Sequence, residues 1–152
     1  MKLVLFQADQ AEICPGLMTA RGIVNIAAAV PRGHSPELTM EGIIDRFEEL
    51  RPALAELDSK GPAIAADRVR LLAPLPRPGK ILCCIANYWE HAQREPRPLN
   101  MFLKNPDAVV GPGDTICLPR FTEPWIFMHE AELALVIKGP AKAVPAADWR
   151  RA

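Results

Sequence analysis

The sequence predicts a mixed fold of short strands around one helical stretch, and three observations point to it. Apolar runs of strand length recur at residues 2–6, 22–28 and 81–85. Ile43, Ile44, Phe47, Leu50 and Leu54 fall at the three and four spacing of a helix's apolar stripe. Sixteen prolines in 152 residues are scattered rather than clustered, so they punctuate many short elements, which argues against a helical bundle. The 49% hydrophobic and 24% charged content is that of a globular chain of one ordinary domain's length.

In chain order, residues 2–6 and 22–28 form a small antiparallel unit, the second strand following a turn at Arg21-Gly22. Thr39 caps a helix that Pro52 should kink or restart and that ends near Gly61-Pro62. Val69 and Leu71 then alternate with Arg68 and Arg70 as in a half-buried strand. Residues 74–79, PLPRPG, make a stiff connector and a boundary between residues 1–73 and 74–152. Beyond it, residues 81–85 read as a strand and 87–95 as a polar helical stretch. Gly111-Pro112-Gly113-Asp114 reads as a tight turn before a strand at 115–118. Residues 129–138, HEAELALVIK, read as a strand with Ala131, Leu133, Leu135 and Ile137 on one side and Glu130, Glu132, Ala134 and Val136 on the other. Residues 141–152 look like a loop entering a helix.

Charge and composition exclude several roles. Eighteen basic and eighteen acidic residues cancel, which leaves no global basic field for nucleic acid or an anionic membrane. No apolar run reaches the roughly 18–20 residues that span a bilayer, and Asp9 and Glu12 interrupt the N-terminal run before a signal-peptide core builds up. Cys14, Cys83, Cys84 and Cys117 show no CxxC pair and no zinc or disulfide-scaffold spacing, so they read as reduced thiols of a cytoplasmic protein.

Two carboxylates dominate the candidate chemistry. On a strand, Glu130 and Glu132 would point the same way with Cα atoms about 6.5–7 Å apart, a geometry that suits a hard divalent cation. On a solvated strand face, the same E-x-E pattern carries no meaning. His91 and Glu95 lie four residues apart, so a helix would place them on one face, where a carboxylate fixes the imidazole as a general base. An ordinary surface pair is the simpler reading. Lys104 ends an apolar run where a cation would meet an anionic substrate. Cys83-Cys84 lacks a base at a workable spacing, and Gly111-Pro112-Gly113 is no phosphate loop, since proline removes a donor and no GK[ST] follows.

Taken in order, the segments resemble a known family. The run from Leu72 to Leu82, then Asn87-Tyr88 with His91, Phe102-Leu103-Lys104, Gly111-Pro112-Gly113-Asp114 and Glu130-Ala131-Glu132-Leu133-Ala134 together resemble the fumarylacetoacetate hydrolase family. The resemblance spans residues 69–144, and the first sixty or so residues are similar to the family's more variable N-terminal region. It implies an α+β fold, with a small N-terminal β-rich cap (1–73) followed by the first part of a mixed catalytic β-roll (74–152), incomplete at its C-terminus. It also implies a homodimer.

The resemblance further implies a metal enzyme in which Glu130 and Glu132 bind Mg²⁺, or Mn²⁺ or Ca²⁺, and His91 activates water with a nearby glutamate. The family places that glutamate three residues after the histidine, whereas Arg94 stands there in this chain and Glu95 follows. The implied activity is hydrolysis of a carbon–carbon bond in a small 1,3-dicarbonyl acid of the acylpyruvate or fumarylpyruvate type, with Lys104 on a substrate carboxylate. Isomerases of hydroxymuconate-type acids and decarboxylases of oxo acids use the same site. The family's third metal-binding aspartate falls beyond this sequence, and Asp148 comes too early to replace it. On this reading the chain is a truncated sequence, a fragment or the product of a shortened reading frame, and a non-catalytic remnant is the competing expectation.

Overall fold

The structure is a computed structural model and describes residues 1–85, 88, 99–120 and 129–151. Among the described residues, seven strands and two α-helices follow in the order β1 (Leu3–Ala8), β2 (Cys14–Thr19), β3 (Gly22–Asn25), α1 (Pro36–Asp45), α2 (Phe47–Lys60), β4 (Ala63–Ile64), β5 (Val69–Leu72), β6 (Ile81–Ile85) and β7 (Asn100–Lys104). The first five strands form one antiparallel sheet in the order β4-β3-β2-β1-β5, and β6 and β7 form a second, two-stranded antiparallel sheet. The architecture is therefore mixed, with helices and antiparallel sheets, as the sequence predicts.

Register decides which residues make the core. Leu3 pairs with Leu17, Leu5 with Leu72, and Leu17 with Val24, so these side chains share one face of the sheet. Both helices cover that face: Leu5, Leu17, Val24 and Ile26 are buried against Met40 and Ile43 of α1 and Leu54 of α2. The opposite face holds a smaller cluster. There, a Cβ on Gly16 would lie 2.9 Å from the Phe6 ring and 3.0 Å from Ile23, so the missing side chain is what lets Phe6 lie buried across the sheet.

Helix α1 begins one turn before the expected cap. Ser35 is the N-cap, its hydroxyl accepting the Leu38 N–H, and Pro36 occupies the first turn, where its missing N–H costs nothing. Thr39 is buried inside the helix instead; its hydroxyl donates to the Ser35 carbonyl and accepts the Gly33 N–H, fastening the incoming loop. The chain breaks at Arg46 rather than at Pro52, which lies within α2. Pro52 and Glu48 are both exposed, so water can serve the carbonyl that proline leaves without a donor. The helix ends at Lys60, where Arg21 from the β2–β3 hairpin donates to the carbonyls of Asp58 and Gly61 at 2.9 Å each. Gly22, at φ +125°, closes that hairpin, and a Cβ there would sit 2.2 Å from the Ile64 carbonyl oxygen.

Several expected elements change. Strand β2, with Pro15 and Gly16 inside it, is not among the expected strands, and the strand after the hairpin is shorter than expected, ending at Asn25. Residues 115–118 and 129–138 are not strands. Alternation orders side chains, but a strand exists only where another backbone accepts and donates along it, and no described segment pairs with either. Their apolar residues are accordingly exposed, Leu133 by 80% and Ile116 by 73%. The helical expectation at 87–95 lies outside the described residues except for Tyr88. The chain's last described stretch, Ala146–Arg151, is a 3-10 helix.

Among the described residues, ion pairs and one close backbone approach join the second sheet's surroundings to the first sheet and to the connector that follows it. Arg70 on β5 donates to Asp114 at 2.7 Å and Arg77 to Asp107 at 2.9 Å. Gly111 packs against the end of β5, where an added Cβ would lie 3.0 Å from the Ala73 nitrogen and 3.1 Å from the Leu72 Cα. No helix among the described residues is long and apolar enough to cross a membrane. Leu17, fully buried at the centre of the core, should cost about 2–5 kcal/mol when changed to Ala, whereas exposed Leu133→Ala should move stability by less than about 0.5 kcal/mol; urea unfolding of the two variants checks the contrast.

Candidate functional site

The site residues come from three stretches that the fold treats differently. β6 and β7 pair in a fixed register from Ile81 opposite Lys104 to Ile85 opposite Asn100. Lys104 therefore ends β7, exposed, with its ammonium over the Phe102 ring at 5.7 Å from the centroid. Three residues after β6 comes Tyr88, 45% exposed. His91 and Glu95, the expected base and its partner, lie outside the described residues.

Glu130 and Glu132 are exposed on the irregular segment 129–138. That segment is held from an unexpected direction: the Leu133 N–H, next to Glu132, donates to the Tyr88 hydroxyl at 2.8 Å across 45 positions of sequence. The fold thus brings the Tyr88 hydroxyl to the backbone beside Glu132. Lys104 shares no described contact with them. Sequence reading quoted Tyr88 within its motif but gave it no role; the signal was that it is the chain's one tyrosine, an aromatic with a polar handle amid polar residues.

As donors, the two glutamates suit a hard divalent cation: both are carboxylates, one residue apart, and no described cation pairs with either. Among the described residues no group of three His, Cys, Asp or Glu side chains is gathered to hold a metal. Cys14, Cys83, Cys84 and Cys117 are free thiols, as expected. An open cleft of about 390 Å³ lies elsewhere, lined by Glu37, Arg77, Pro78, Gly79, Pro106 and Asp107, and neither glutamate faces it.

Gly111-Pro112-Gly113-Asp114 is the turn the sequence predicts, with Gly113 at φ +82°. One Asp114 oxygen accepts the Gly111 N–H at 2.8 Å and the other accepts from Arg70. The Gly111 amide first, and then the Arg70 guanidinium, hold the Asp114 carboxyl below its ordinary value.

With this geometry in view, comparison with known proteins gives the chain its class. Residues 80–152 match the family model described as fumarylacetoacetate (FAA) hydrolase, C-terminal. Over residues 80–152 the chain belongs to the fumarylacetoacetate hydrolase family. It is 32% identical to fumarylacetoacetate hydrolase domain-containing protein 2 of Pongo abelii and 34% identical to the mitochondrial oxaloacetate tautomerase Fahd2a of Rattus norvegicus; each match covers 97% of this chain and 48% of the relative. The chain therefore spans about half the length of these curated relatives. A crystal structure of maleylpyruvate hydrolase from Sphingobium sp. SYK-6, in complex with manganese(II) and pyruvate, is similar with a TM-score of 0.64 and 29% identity, over 79% of this chain and 43% of that one.

Because its carboxyl is held acidic in the folded protein, Asp114 stabilises the fold above its ordinary pKa of about 3.9, and that contribution fades as pH falls through the lower folded value. Asp114→Asn should therefore unfold at lower urea than the unaltered chain at pH 7, with the gap closing at pH 3 and below. Urea midpoints at both pH values measure it; a gap that is equal at both would disprove the ionised contact.

Proposed function

We propose that this chain carries the carboxylate half of a metal-assisted site that hydrolyses a carbon–carbon bond in a small 1,3-dicarbonyl acid of the acylpyruvate or fumarylpyruvate type. The observation that carries the reading is the Glu130–Glu132 pair, uncommitted to any described cation and lying inside the stretch that matches the family. The similar maleylpyruvate hydrolase, described with manganese and pyruvate, supports both the cation and the substrate class. Mg²⁺, Mn²⁺ or Ca²⁺ would be held by Glu130 and Glu132 and would supply Lewis acidity toward the two dicarbonyl oxygens.

The protein's own groups would do the rest. His91, oriented by Glu95, accepts a proton from the attacking water at an imidazole nitrogen, and the water oxygen bonds to the carbonyl carbon. As the carbon–carbon bond breaks, its electron pair stays with the leaving carbon as an enolate. The imidazolium then returns the proton to that carbon. Lys104 pairs with a substrate carboxylate and orients the chain of the acid.

A second reading has its own support: the relatives named oxaloacetate tautomerase favour proton transfer within an oxo acid, in which His91 would move a proton between carbon and oxygen without adding water. Isomerisation of hydroxymuconate-type acids and decarboxylation of oxo acids belong to the same chemistry. We also keep the division into an N-terminal cap (1–73) and the first part of a catalytic β-roll (74–152), a homodimeric assembly, and a cytoplasmic setting that suits four free thiols.

Mn²⁺ titration of the full chain by calorimetry is the test. Saturable binding that Glu132→Ala weakens by at least the roughly tenfold cost of losing an outer-shell partner is expected, and cleavage of an acylpyruvate against tautomerisation of oxaloacetate then separates the two readings. A folded chain that binds no Mn²⁺ overturns both and leaves a non-catalytic role.

A further inference from the structure

We propose that Tyr88 is a positioning residue for the glutamate pair, fixing the direction of Glu132 through the backbone of Leu133. The proposal rests on the reading that Glu130 and Glu132 hold a cation, and it adds a residue that touches neither cation nor substrate.

Among the described residues, segment 129–138 has no strand partner, and its one hydrogen bond is the Leu133 N–H donating to the Tyr88 hydroxyl at 2.8 Å. That amide belongs to the peptide plane joining Glu132 to Leu133. A planar peptide held at its N–H limits rotation about the bonds on either side, so the tether acts on the Glu132 backbone directly. Elsewhere in this fold, direction comes from ladders: β6 and β7 fix each other's side chains through five paired positions. Here an exposed run with 80% of Leu133 open to solvent has a single side-chain anchor instead.

Two carboxylates bind one cation well only if their oxygens converge before it arrives, because ordering them afterwards subtracts from affinity. A hydroxyl anchor beside Glu132 supplies that ordering. It also explains why a tyrosine, with a hydroxyl at the end of a rigid ring, serves where phenylalanine would fill the same space. Tyr88 itself follows β6 by three residues.

The test compares the unaltered chain, Tyr88→Phe and Glu132→Ala by Mn²⁺ calorimetry, by the electron paramagnetic resonance spectrum of bound Mn²⁺, and by amide exchange at Leu133. Tyr88→Phe keeps the ring and removes one acceptor. Its Mn²⁺ affinity should fall by about 2- to 10-fold, the equivalent of one ordinary hydrogen bond, with an altered spectrum, faster exchange at Leu133 and an unchanged unfolding midpoint. Mn²⁺ binding that Glu132→Ala abolishes and Tyr88→Phe leaves intact would overturn the positioning role alone. An unaltered chain that binds no Mn²⁺ would overturn the cation reading and the proposal with it, and a lowered midpoint in Tyr88→Phe with the spectrum unchanged would assign Tyr88 to stability instead.

Discussion

A β-strand must find a partner for its backbone and a cover for its apolar face, and how each segment meets that demand organises this protein. In residues 1–73 both needs are met together. The antiparallel register puts Leu5, Leu17 and Val24 on one side of a five-stranded sheet, and α1 and α2 close over them with Met40, Ile43 and Leu54. The connections then become part of the same solution: Ser35 and Thr39 fasten the entry to α1, and Arg21 caps the exit of α2 from across the sheet. Each of these contacts pairs a side chain with a backbone group at a helix end.

The described part of residues 80–151 meets the demand only at β6 and β7. Leu82, Met101 and Leu103 are half or more exposed on that two-stranded sheet, as are Ile116, Leu133, Leu135, Val136 and Ile137 on irregular segments. Among the described residues, this region is tied back by long-range polar contacts, the Arg70–Asp114 and Arg77–Asp107 pairs, and by a glycine turn packed tightly against the end of β5.

The candidate site sits where the sheet's control weakens. Glu130 and Glu132 are not on the strand that their alternation suggested, so the pleat does not aim them; the Tyr88 hydroxyl reaches the backbone beside them instead. Exposure keeps the two carboxylates solvated, where burying two like charges side by side would be costly. The order of motifs, more than any single spacing, identified the family. E-x-E alone is commonplace, whereas the same pair following N-Y-x-x-H and the G-P-G-D turn is not.

The sequence by itself determined the helical stripe, the strands at Lys2–Phe6, Val69–Leu71 and Ile81–Ile85, the turn at Gly111–Asp114 and the family, because each is written in local periodicity, turn chemistry or motif order. Only the tertiary structure decided that Pro15 and Gly16 lie in a central strand, that Asn100–Lys104 pairs with β6, and that residues 115–118 and 129–138 stay irregular. Those outcomes hinge on whether a second backbone lies alongside, and no residue's own identity carries that information. The Tyr88–Leu133 contact is of the same kind, since 45 positions of chain separate a hydroxyl and an amide that only the fold brings within 2.8 Å.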